Sequence, residues 1–411
     1  MLAHIPFPVL PAPPSWYPGH MDKFARMLPA LLRRTDVVLE LRDSRLPLTS
    51  INETLEGALH KWRRDRGRFT ASDGLPAPTR YSTPCERIVV FNKRDLVPEW
   101  GLEPFHRAML SKFPDQNFFF ASWHRQRDIN ALNDMLVSVA KEYPLSQELN
   151  VLVVGMPNVG KSTLLNALRH TGIPGPTAKA LRTSAQPGLT RALSTRLKLS
   201  LDPLVYAYDS PGVMLPFLGN GARGAERGVK LALIAGIKEG LYDVETLAAY
   251  LLYRLNVLNP RSPAYLQLLP DGATATADEL EFLEQLATRL GMLKRGGLRD
   301  RSRAATWFVK WWREEGGLES ASAPLSSSPE GQQRQGWGFD FEWVVDKLPG
   351  EEPSAMVQRK MEGCIDRYTV ERAQAESGRA GVSSSQEKKK AKAEKIAKRA
   401  AKMKARFSGS L

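Results

Sequence analysis

The sequence predicts an α/β domain with a mostly parallel sheet, followed by an α-helical domain. Short apolar runs alternate with amphipathic stretches, which is typical of parallel strands covered by helices. One of these runs ends in a glycine-rich loop that opens a helix. From Gly224 onward the apolar spacing becomes helical and strand patterns are absent. These three observations set the fold class.

Six apolar runs are predicted to be strands, and the stretches between them and after them are predicted to be helices. The strands are expected at 36–41, 87–91, 117–121, 150–154, 193–199 and 204–208. The helices are expected at 22–34 with a kink at Pro29, at 105–113, at 129–141, from Lys161 onward, and at 224–255, 279–291 and 303–315.

Composition shifts suggest domain boundaries. Residues 1–15 form an N-terminal extension, 16–222 the α/β domain with an inserted loop at 61–85, 223–375 the helical domain, and 376–411 a basic disordered tail. Residues 316–336 are dominated by Ser, Gly, Pro and Gln, which predicts a disordered insertion.

Charge and cysteine content narrow the function classes. The 411 residues carry a net charge of +14, and the segment from Ser383 to Leu411 supplies +8 of it, which favours a polyanionic partner over a merely solvated basic surface. Two cysteines, Cys85 and Cys364, provide neither a disulfide framework nor a zinc cluster. The apolar runs are too short to cross a bilayer, so we expect a soluble or peripheral protein. The Pro-rich N-terminus is a poor targeting signal and leaves localisation open.

The segment Gly155 to Ser162 matches the phosphate-loop pattern GxxxxGKS, with a predicted strand before it and a helix after it. Its backbone amides are suited to cradle phosphates, Lys161 to place a charge on the β and γ phosphates, and Ser162 to ligate Mg²⁺. The predicted nucleotide contacts here are Asn158, Val159, Gly160, Lys161, Ser162 and Thr163.

The identity of the nucleobase is predicted from Asn92-Lys-Arg-Asp95, which directly follows a predicted strand. A carboxylate such as Asp95 can accept two hydrogen bonds from guanine, a pattern that adenine does not offer. Asn92, Lys93 and Asp95 are therefore the predicted guanine contacts. Ser122-Trp-His124 follows the next strand, where a loop supporting the base is expected, so Ser122 is a further predicted contact.

Asp209-Ser-Pro-Gly212 follows the last predicted strand, so Asp209 is expected at Mg²⁺ and the Gly212 amide at the γ phosphate. Thr190, in Gln186-Pro-Gly-Leu-Thr190, is the candidate switch threonine for Mg²⁺; a simple Pro-Gly turn before a strand is the alternative. The base motif precedes the phosphate loop, the reverse of the usual GTPase order. The sequence thus predicts a circularly permuted P-loop GTPase domain that binds GTP and GDP with Mg²⁺.

These motifs resemble the circularly permuted ribosome-assembly GTPases of the RbgA/YlqF type, and most closely the mitochondrial ribosome GTPase 1 group. The residues that carry the resemblance are Trp16 to Met21, Asp36 to Pro47, Asn92 to Asp95, Gly155 to Ser162, Pro187 to Thr190, Asp209 to Val213 and Leu231 to Lys238. The departures are the loop at 61–85, the Ser-rich insertion and Ser122-Trp-His124.

The resemblance implies GTP hydrolysis coupled to maturation of the mitochondrial large ribosomal subunit, with its rRNA as partner and GTP as the sole small-molecule substrate. It also implies a location at the matrix face of the inner membrane with peripheral membrane contact. By resemblance, His20 positions the attacking water, and Asn158 helps to bind a monovalent cation such as K⁺. The alternative for His20 is a role in capping the helix near Asp22.

Val213 occupies the position after Gly212 where many GTPases carry a water-orienting Gln. An apolar side chain cannot orient water, so slow basal turnover is expected. Two other functions stay open at this point: a GTP-sensing RNA or ribosome scaffold with negligible hydrolysis, and a GTPase of cytosolic or nucleolar ribosome assembly.

Overall fold

The computed structural model describes residues 4–14, 16–67, 83–175, 178, 180–181, 190, 192–215, 217–316, 334–346 and 348–379. The chain divides into two compact units, Met1–Cys364 and Ile365–Leu411. Among the described residues, no helix is both long and apolar enough to span a bilayer. Most of the predicted basic tail at 376–411 lies outside the described part of the chain.

A six-stranded sheet forms the centre of the first unit, in the order β3-β2-β1-β4-β6-β5. All neighbouring strands are parallel except β5, which is antiparallel to β6. The strands are β1 Val37–Asp43, β2 Glu86–Asn92, β3 Asn117–Ala121, β4 Leu149–Gly155, β5 Leu197–Leu201 and β6 Leu204–Asp209. The mostly parallel sheet predicted from the alternating pattern is confirmed.

Five helices cover this sheet: α1 Gly19–Leu32, α2 Glu53–Asp65, α3 Leu102–Lys112, α4 Gln126–Glu142 and α5 Lys161–Gly172. Buried side chains of α1 and α2 pack against Val38, Leu152 and Val154 of the sheet in one apolar cluster. Helix α1 begins three residues earlier than predicted and runs through Pro29.

The rest of the first unit is mainly helical, as predicted. Its helices are α6 Gly221–Leu233, α7 Val244–Leu258, α8 Glu279–Arg289, α9 Arg301–Glu315 and the start of α10, which spans Pro353–Arg379. In the N-terminal extension, the Phe7 ring lies edge-on to Tyr253 of α7 with ring centroids 5.1 Å apart.

The predicted inserted loop at 61–85 begins too early, because residues 61–65 are the last turn of α2. Asn52 caps this helix by accepting from the amides of Thr54 and Leu55, and Leu55, Leu59 and Trp62 bury one face. Arg63 and Arg64 suit a helix C-terminus because they face its negative dipole end. The arginine content that indicated a loop is therefore the charged end of a helix; residues 68–82 lie outside the described part.

The predicted disordered insertion at 316–336 extends too far, since its last residues belong to a β-hairpin, and the helical domain is not free of strands. Strand β7 Arg334–Trp337 pairs antiparallel with β8 Phe341–Val344. Trp337, Phe339, Phe341 and Trp343 alternate at the period of a strand and are all buried. This alternation is present in the sequence, but its first residues adjoin the Ser- and Gln-rich stretch and were included in the predicted insertion. Residues 317–333 lie outside the described part.

Candidate nucleotide-binding site

The predicted nucleotide motifs follow the carboxyl ends of neighbouring parallel strands. Asp43 of β1 pairs with Asn92 of β2, and Asn92 pairs with Ala121 of β3. On the other side, β1 pairs with β4 up to Gly155, and β6 ends at Asp209 beside β4. The structure thus brings the base motif, its supporting loop, the phosphate loop and the Mg²⁺ motif to one edge of the sheet, where parallel sheets bind ligands.

The phosphate loop connects β4 to α5, and Lys161 is the first residue of the helix, as predicted. Gly160 has φ +92°, and a Cβ there would lie 2.6 Å from Asn92 Nδ2 and from the Trp123 ring, so glycine is required by both conformation and space. Val159 is buried behind the loop, and Thr163 lies in the first turn of α5. The helix N-terminus and its amides form a site suited to phosphate.

Lys161 is almost fully buried, and its Nζ donates to the backbone oxygens of Met156 at 2.8 Å and Gly155 at 3.3 Å. Burial lowers the pKa of this ammonium group to about 8, and nearby Asp209 opposes the shift only in part. A phosphate chain would supply the negative charge that this buried cation lacks.

Ser162, Asp209 and Thr190 form the predicted metal corner. The Ser162 hydroxyl donates to Asp209 Oδ2 at 2.5 Å, and its oxygen lies 3.5 Å from Thr190 Oγ1. Asp209 Oδ1 is buried and has no hydrogen-bond partner among the described residues. Burial raises the pKa of Asp209, while Lys161 and Ser162 act in the opposite direction. A hard cation and its waters would satisfy this orphaned oxygen, so the donor set fits Mg²⁺. Residues 186–189 before Thr190 lie outside the described part.

The guanine-reading segment is joined directly to the phosphate loop. Asn92 Nδ2 donates to Val159 O at 2.7 Å, and Lys93 Nζ donates to Asn158 O at 2.9 Å. Asp95 Oδ1 is buried and has no hydrogen-bond partner among the described residues, which fits an acceptor awaiting the two guanine donors.

Ser122 is fully buried, and its amide donates to Asp128 Oδ2 at 3.0 Å. The same Asp128 carboxylate accepts two bonds from Arg94, at 2.6 and 2.7 Å. Asp128 therefore fixes the supporting loop against the base motif. Sequence reasoning missed this residue, because nothing in its local pattern indicates a partner 34 positions away.

Asp43 is a second residue whose role was not predicted from the sequence. Its Oδ2 accepts from Lys93 Nζ at 3.0 Å, and both of its oxygens accept from Arg45. Burial raises the pKa of Asp43, but Arg45 and Lys93 outweigh burial and hold the pKa well below its usual range. Asp43 is therefore a permanent anion that orients Lys93 across the phosphate loop.

The segment after β6 lies against the phosphate loop. A Cβ on Gly212 would approach the Pro157 backbone to 2.6 Å, so this close passage requires glycine. Val213 N donates to Gly155 O at 3.1 Å, and the Val213 side chain is buried in the apolar cluster with α1 and α2. Val213 therefore cannot orient a water molecule, as its apolar character predicted.

His20 stands in the first turn of α1, which begins at Gly19, so it is not at the capping position expected for a helix starting near Asp22. The adjacent Met21 Sδ accepts from the amide of Met214 at 3.4 Å. The start of α1 therefore lies beside the segment that follows Gly212. The role of His20 in positioning water stays a prediction.

Comparison with known proteins agrees with this geometry. Residues 150–253 match the 50S ribosome-binding GTPase family. Mitochondrial GTPase 1 of Schizosaccharomyces japonicus is 30% identical over 319 residues, covering 73% of this chain and 87% of that protein. This chain belongs to the mitochondrial GTPase 1 family. Mitochondrial ribosome-associated GTPase 1 of Xenopus tropicalis is 30% identical over 246 residues, covering 59% of this chain and 70% of that protein.

As a member of this family the chain is a GTP hydrolase of mitochondria, with GTP and GDP as its nucleotides. Its GTPase motifs stand in circularly permuted order on the sheet described above. The solved structure of GNP-bound YlqF from T. maritima is also similar, with 20% identity, coverage of 72% of this chain and 94% of that one, and a TM-score of 0.42.

Proposed function

We propose that this GTPase acts on the mitochondrial large ribosomal subunit and uses GTP hydrolysis to drive or check its maturation, from the matrix side of the inner membrane. Relatives named as ribosome-associated support a ribosomal partner. The observation in this chain that carries the proposal is a basic, aromatic groove at the start of α9.

The groove measures about 590 Å³ and lies where the turn before α9 meets the helix. Its cations are Lys294, Arg303 and Lys310, which are exposed, and its aromatic side chain is Trp307, which is half-buried. One acidic side chain, Asp300, shares the groove and caps α9 by accepting from the Arg303 amide at 3.1 Å. Cations beside an exposed aromatic face suit phosphates and a stacked base, which favours single-stranded rRNA.

The catalytic roles follow from the site. Lys161 and the phosphate-loop amides would hold the β and γ phosphates, Asp95 would read guanine, and Ser162, Thr190 and Asp209 would hold Mg²⁺. When bound there, the metal would neutralise charge that develops on the phosphates. Because Val213 is buried, the attacking water needs another group, and His20 at the start of α1 is the residue for that role. The proposed K⁺ site uses Asn158, whose Nδ2 donates to Ala235 O at 2.9 Å.

The test is GTP turnover with and without purified mitochondrial large subunits, in K⁺ and in Na⁺ buffers. We expect stimulation by the subunit and a preference for K⁺. His20→Ala should lower stimulated kcat at least tenfold while leaving GTP affinity nearly unchanged, as for a group acting in the transition state. Lys161→Ala serves as the inactive control. Absence of stimulation in the wild type would instead support a GTP-sensing scaffold, and stimulation only by cytosolic subunits would place the enzyme on another ribosome.

A further inference from the structure

The segment 43–52, called here the β1–α2 loop, runs from the last residue of β1 to the residue before α2 and is buried at all ten positions. A connection of this kind ordinarily lies on the surface, where water satisfies its backbone groups. Here several backbone and side-chain groups bond to protein, although the Ser44 and Ser50 hydroxyls are buried without a hydrogen-bond partner among the described residues. The partners belong to the nucleotide site on one side and to the helical domain on the other.

On the nucleotide side the β1–α2 loop makes contacts at both of its ends. Asp43 holds Lys93 of the base motif, and Ser44 N donates to Asn92 O at 2.9 Å. At the other end, Asn52 Nδ2 donates to Val213 O at 2.8 Å. Val213 directly follows Gly212, the residue predicted to sense the γ phosphate. The loop therefore contacts both the base motif and the segment after Gly212.

On the other side the loop is held by the turn of the β7–β8 hairpin. Asp340 accepts from the amides of Leu48 at 2.9 Å and Thr49 at 2.7 Å, and from the Thr49 hydroxyl at 2.5 Å. Lys230 Nζ of α6 lies 3.4 Å from the same carboxylate. The Asp340 side chain is 3% exposed, so each of these bonds is shielded from water.

A second set of contacts joins the hairpin to the same loop. Phe339 N donates to Arg45 O at 2.8 Å. The Arg45 guanidinium lies over the Trp312 ring of α9, 4.6 Å from its centroid, and donates to Arg313 O. Arg45 also binds Asp43 with two nitrogens. Polar contacts thus join α9 and the hairpin to the β1–α2 loop, and the loop in turn contacts the base motif and Val213.

We propose that Asp340 is a positioning residue for GTP hydrolysis: it fixes the β1–α2 loop, and the loop, through Asn52, sets the position of the segment after Gly212. The proposal adds a way to regulate the GTPase. It rests on the proposed function in one respect only, which is that the ribosome is the partner that would displace the hairpin. A partner that shifts the hairpin changes turnover, and by linkage the γ phosphate changes the affinity for that partner.

The position of Asp340 is not explained by packing alone. Removing water from a carboxylate is costly, and four donors must converge on it to offset that cost. An apolar residue in the hairpin turn would fill the same space. The carboxylate instead ties the turn to backbone amides in the middle of the loop, so a displacement of either element requires a displacement of the other.

The experiment measures steady-state GTP hydrolysis, nucleotide affinities and the melting temperature of the full-length protein without ribosomes. Asp340→Asn places an amide donor where donors already converge. We expect kcat to fall about tenfold, within the range of typical coupling free energies, and KM for GTP to change less than about twofold. The affinity ratio of a non-hydrolysable GTP analogue to GDP should fall as well. Asp346→Asn, an exposed acid beyond β8, is the matched control and should match the wild type.

Two further variants separate positioning from loss of fold. Thr49→Val removes one donor and keeps the shape, so a smaller change in the same direction is expected. Asn52→Asp keeps the acceptor that caps α2 and removes the donor to Val213. If both residues act along one route, the double variant Asn52→Asp with Asp340→Asn is no slower than the slower single variant.

Additive effects of the two substitutions, or an Asp340→Asn variant with normal kcat and a normal affinity ratio, would overturn the proposal. A fall in kcat accompanied by a rise in KM and a lower melting temperature would also overturn it in favour of a purely structural role. Subunit stimulation is measured separately in the wild type. If stimulation is absent while Asp340→Asn behaves as expected, the ribosomal function fails and the positioning role stands.

Discussion

Lys161 is buried beside Asp209, and burial lowers the pKa of its ammonium group to about 8. Phosphate binding favours the charged form, so the pKa of Lys161 in the complex must be higher than in the free protein. Below pH 7 Lys161 of the free protein already carries its proton, so this group makes GTP affinity insensitive to pH there. As pH rises past 8, binding must take up a proton, and affinity falls.

We therefore expect GTP affinity to weaken about sevenfold between pH 7.0 and pH 8.8, as follows from a single group with a pKa near 8. Equilibrium titration with a fluorescent GTP analogue at constant ionic strength measures this change. In Lys161→Arg the guanidinium stays charged across the range, so its affinity should be independent of pH even if it is weaker. Equal pH dependence in the two proteins would assign the effect to another group.

At the scale of elements, the α9 groove predicts a specific RNA contact. Trp307→Ala should weaken binding of a single-stranded 12-nucleotide RNA by at least about fivefold, since stacking on an aromatic side chain contributes ~1–3 kcal/mol per base. Trp307→Phe should retain most of the affinity because it keeps a π face. Fluorescence anisotropy of labelled RNA with full-length protein measures both.

The electrostatic contribution of this groove to RNA binding is tested by Arg303→Glu, which should weaken RNA binding and reduce its salt dependence. Lys141→Glu makes the same charge change at an exposed position on α4 and serves as the control. If Trp307→Ala and the control bind RNA equally well, the groove is not the RNA site. Loss of binding to anionic vesicles but not to RNA would assign the groove to a membrane surface.

The elements also show where sequence reasoning succeeds and where it fails. Helix α5 begins at Lys161 as predicted, because its signal, a glycine-rich loop after a buried strand, is entirely local. The β7–β8 hairpin was missed because tertiary contacts stabilise it: Trp337 Nε1 donates to Pro98 O, 239 positions away in the chain. Helix α2 was not predicted. One reason is that its charged end resembles a loop when the buried Leu55, Leu59 and Trp62 are not considered together.

The same distinction holds for the site. Lys161, Ser162, Asp95 and Asp209 could be predicted because each belongs to a short motif after a strand. Asp43, Asp128 and Asp340 could not, since each has a partner 34 or more positions away that comes near only when the chain is folded. Motifs therefore identify the groups suited to contact GTP, while the fold identifies the groups that hold those contacts in place.

At the scale of the whole molecule, the permuted motif order places the γ-phosphate segment directly before the helical domain. The phosphate loop also contacts that domain, because Asn158 Nδ2 donates to Ala235 O just after α6. The phosphate site is thus linked to α6 in two ways. One link is the backbone that continues from Gly212 into the helical domain, and the other is the hydrogen bond from Asn158 to Ala235. A nucleotide that orders the segment after Gly212 is expected to bias the helical domain as well.

The last prediction separates this switch from the attraction of the basic tail. Large-subunit binding should be tighter with a non-hydrolysable GTP analogue than with GDP. The segment from Ser383 to Leu411 lies outside the described residues, and its net charge of +8 should add a sequence-independent attraction driven by counterion release. Deleting this segment should lower affinity in both nucleotide states and flatten the salt dependence, while the GTP-to-GDP ratio is preserved.

Sedimentation with purified mitochondrial large subunits, across a salt series and with both nucleotides, tests the two parts separately because they depend on different variables. The tail acts through charge and responds to salt. The switch acts through the γ phosphate and responds to the nucleotide. An unchanged salt slope after deletion would show that the tail is a solvated charge run without a partner. Equal binding with GDP and with the analogue would show that the phosphate contacts described here do not reach the surface that binds the subunit.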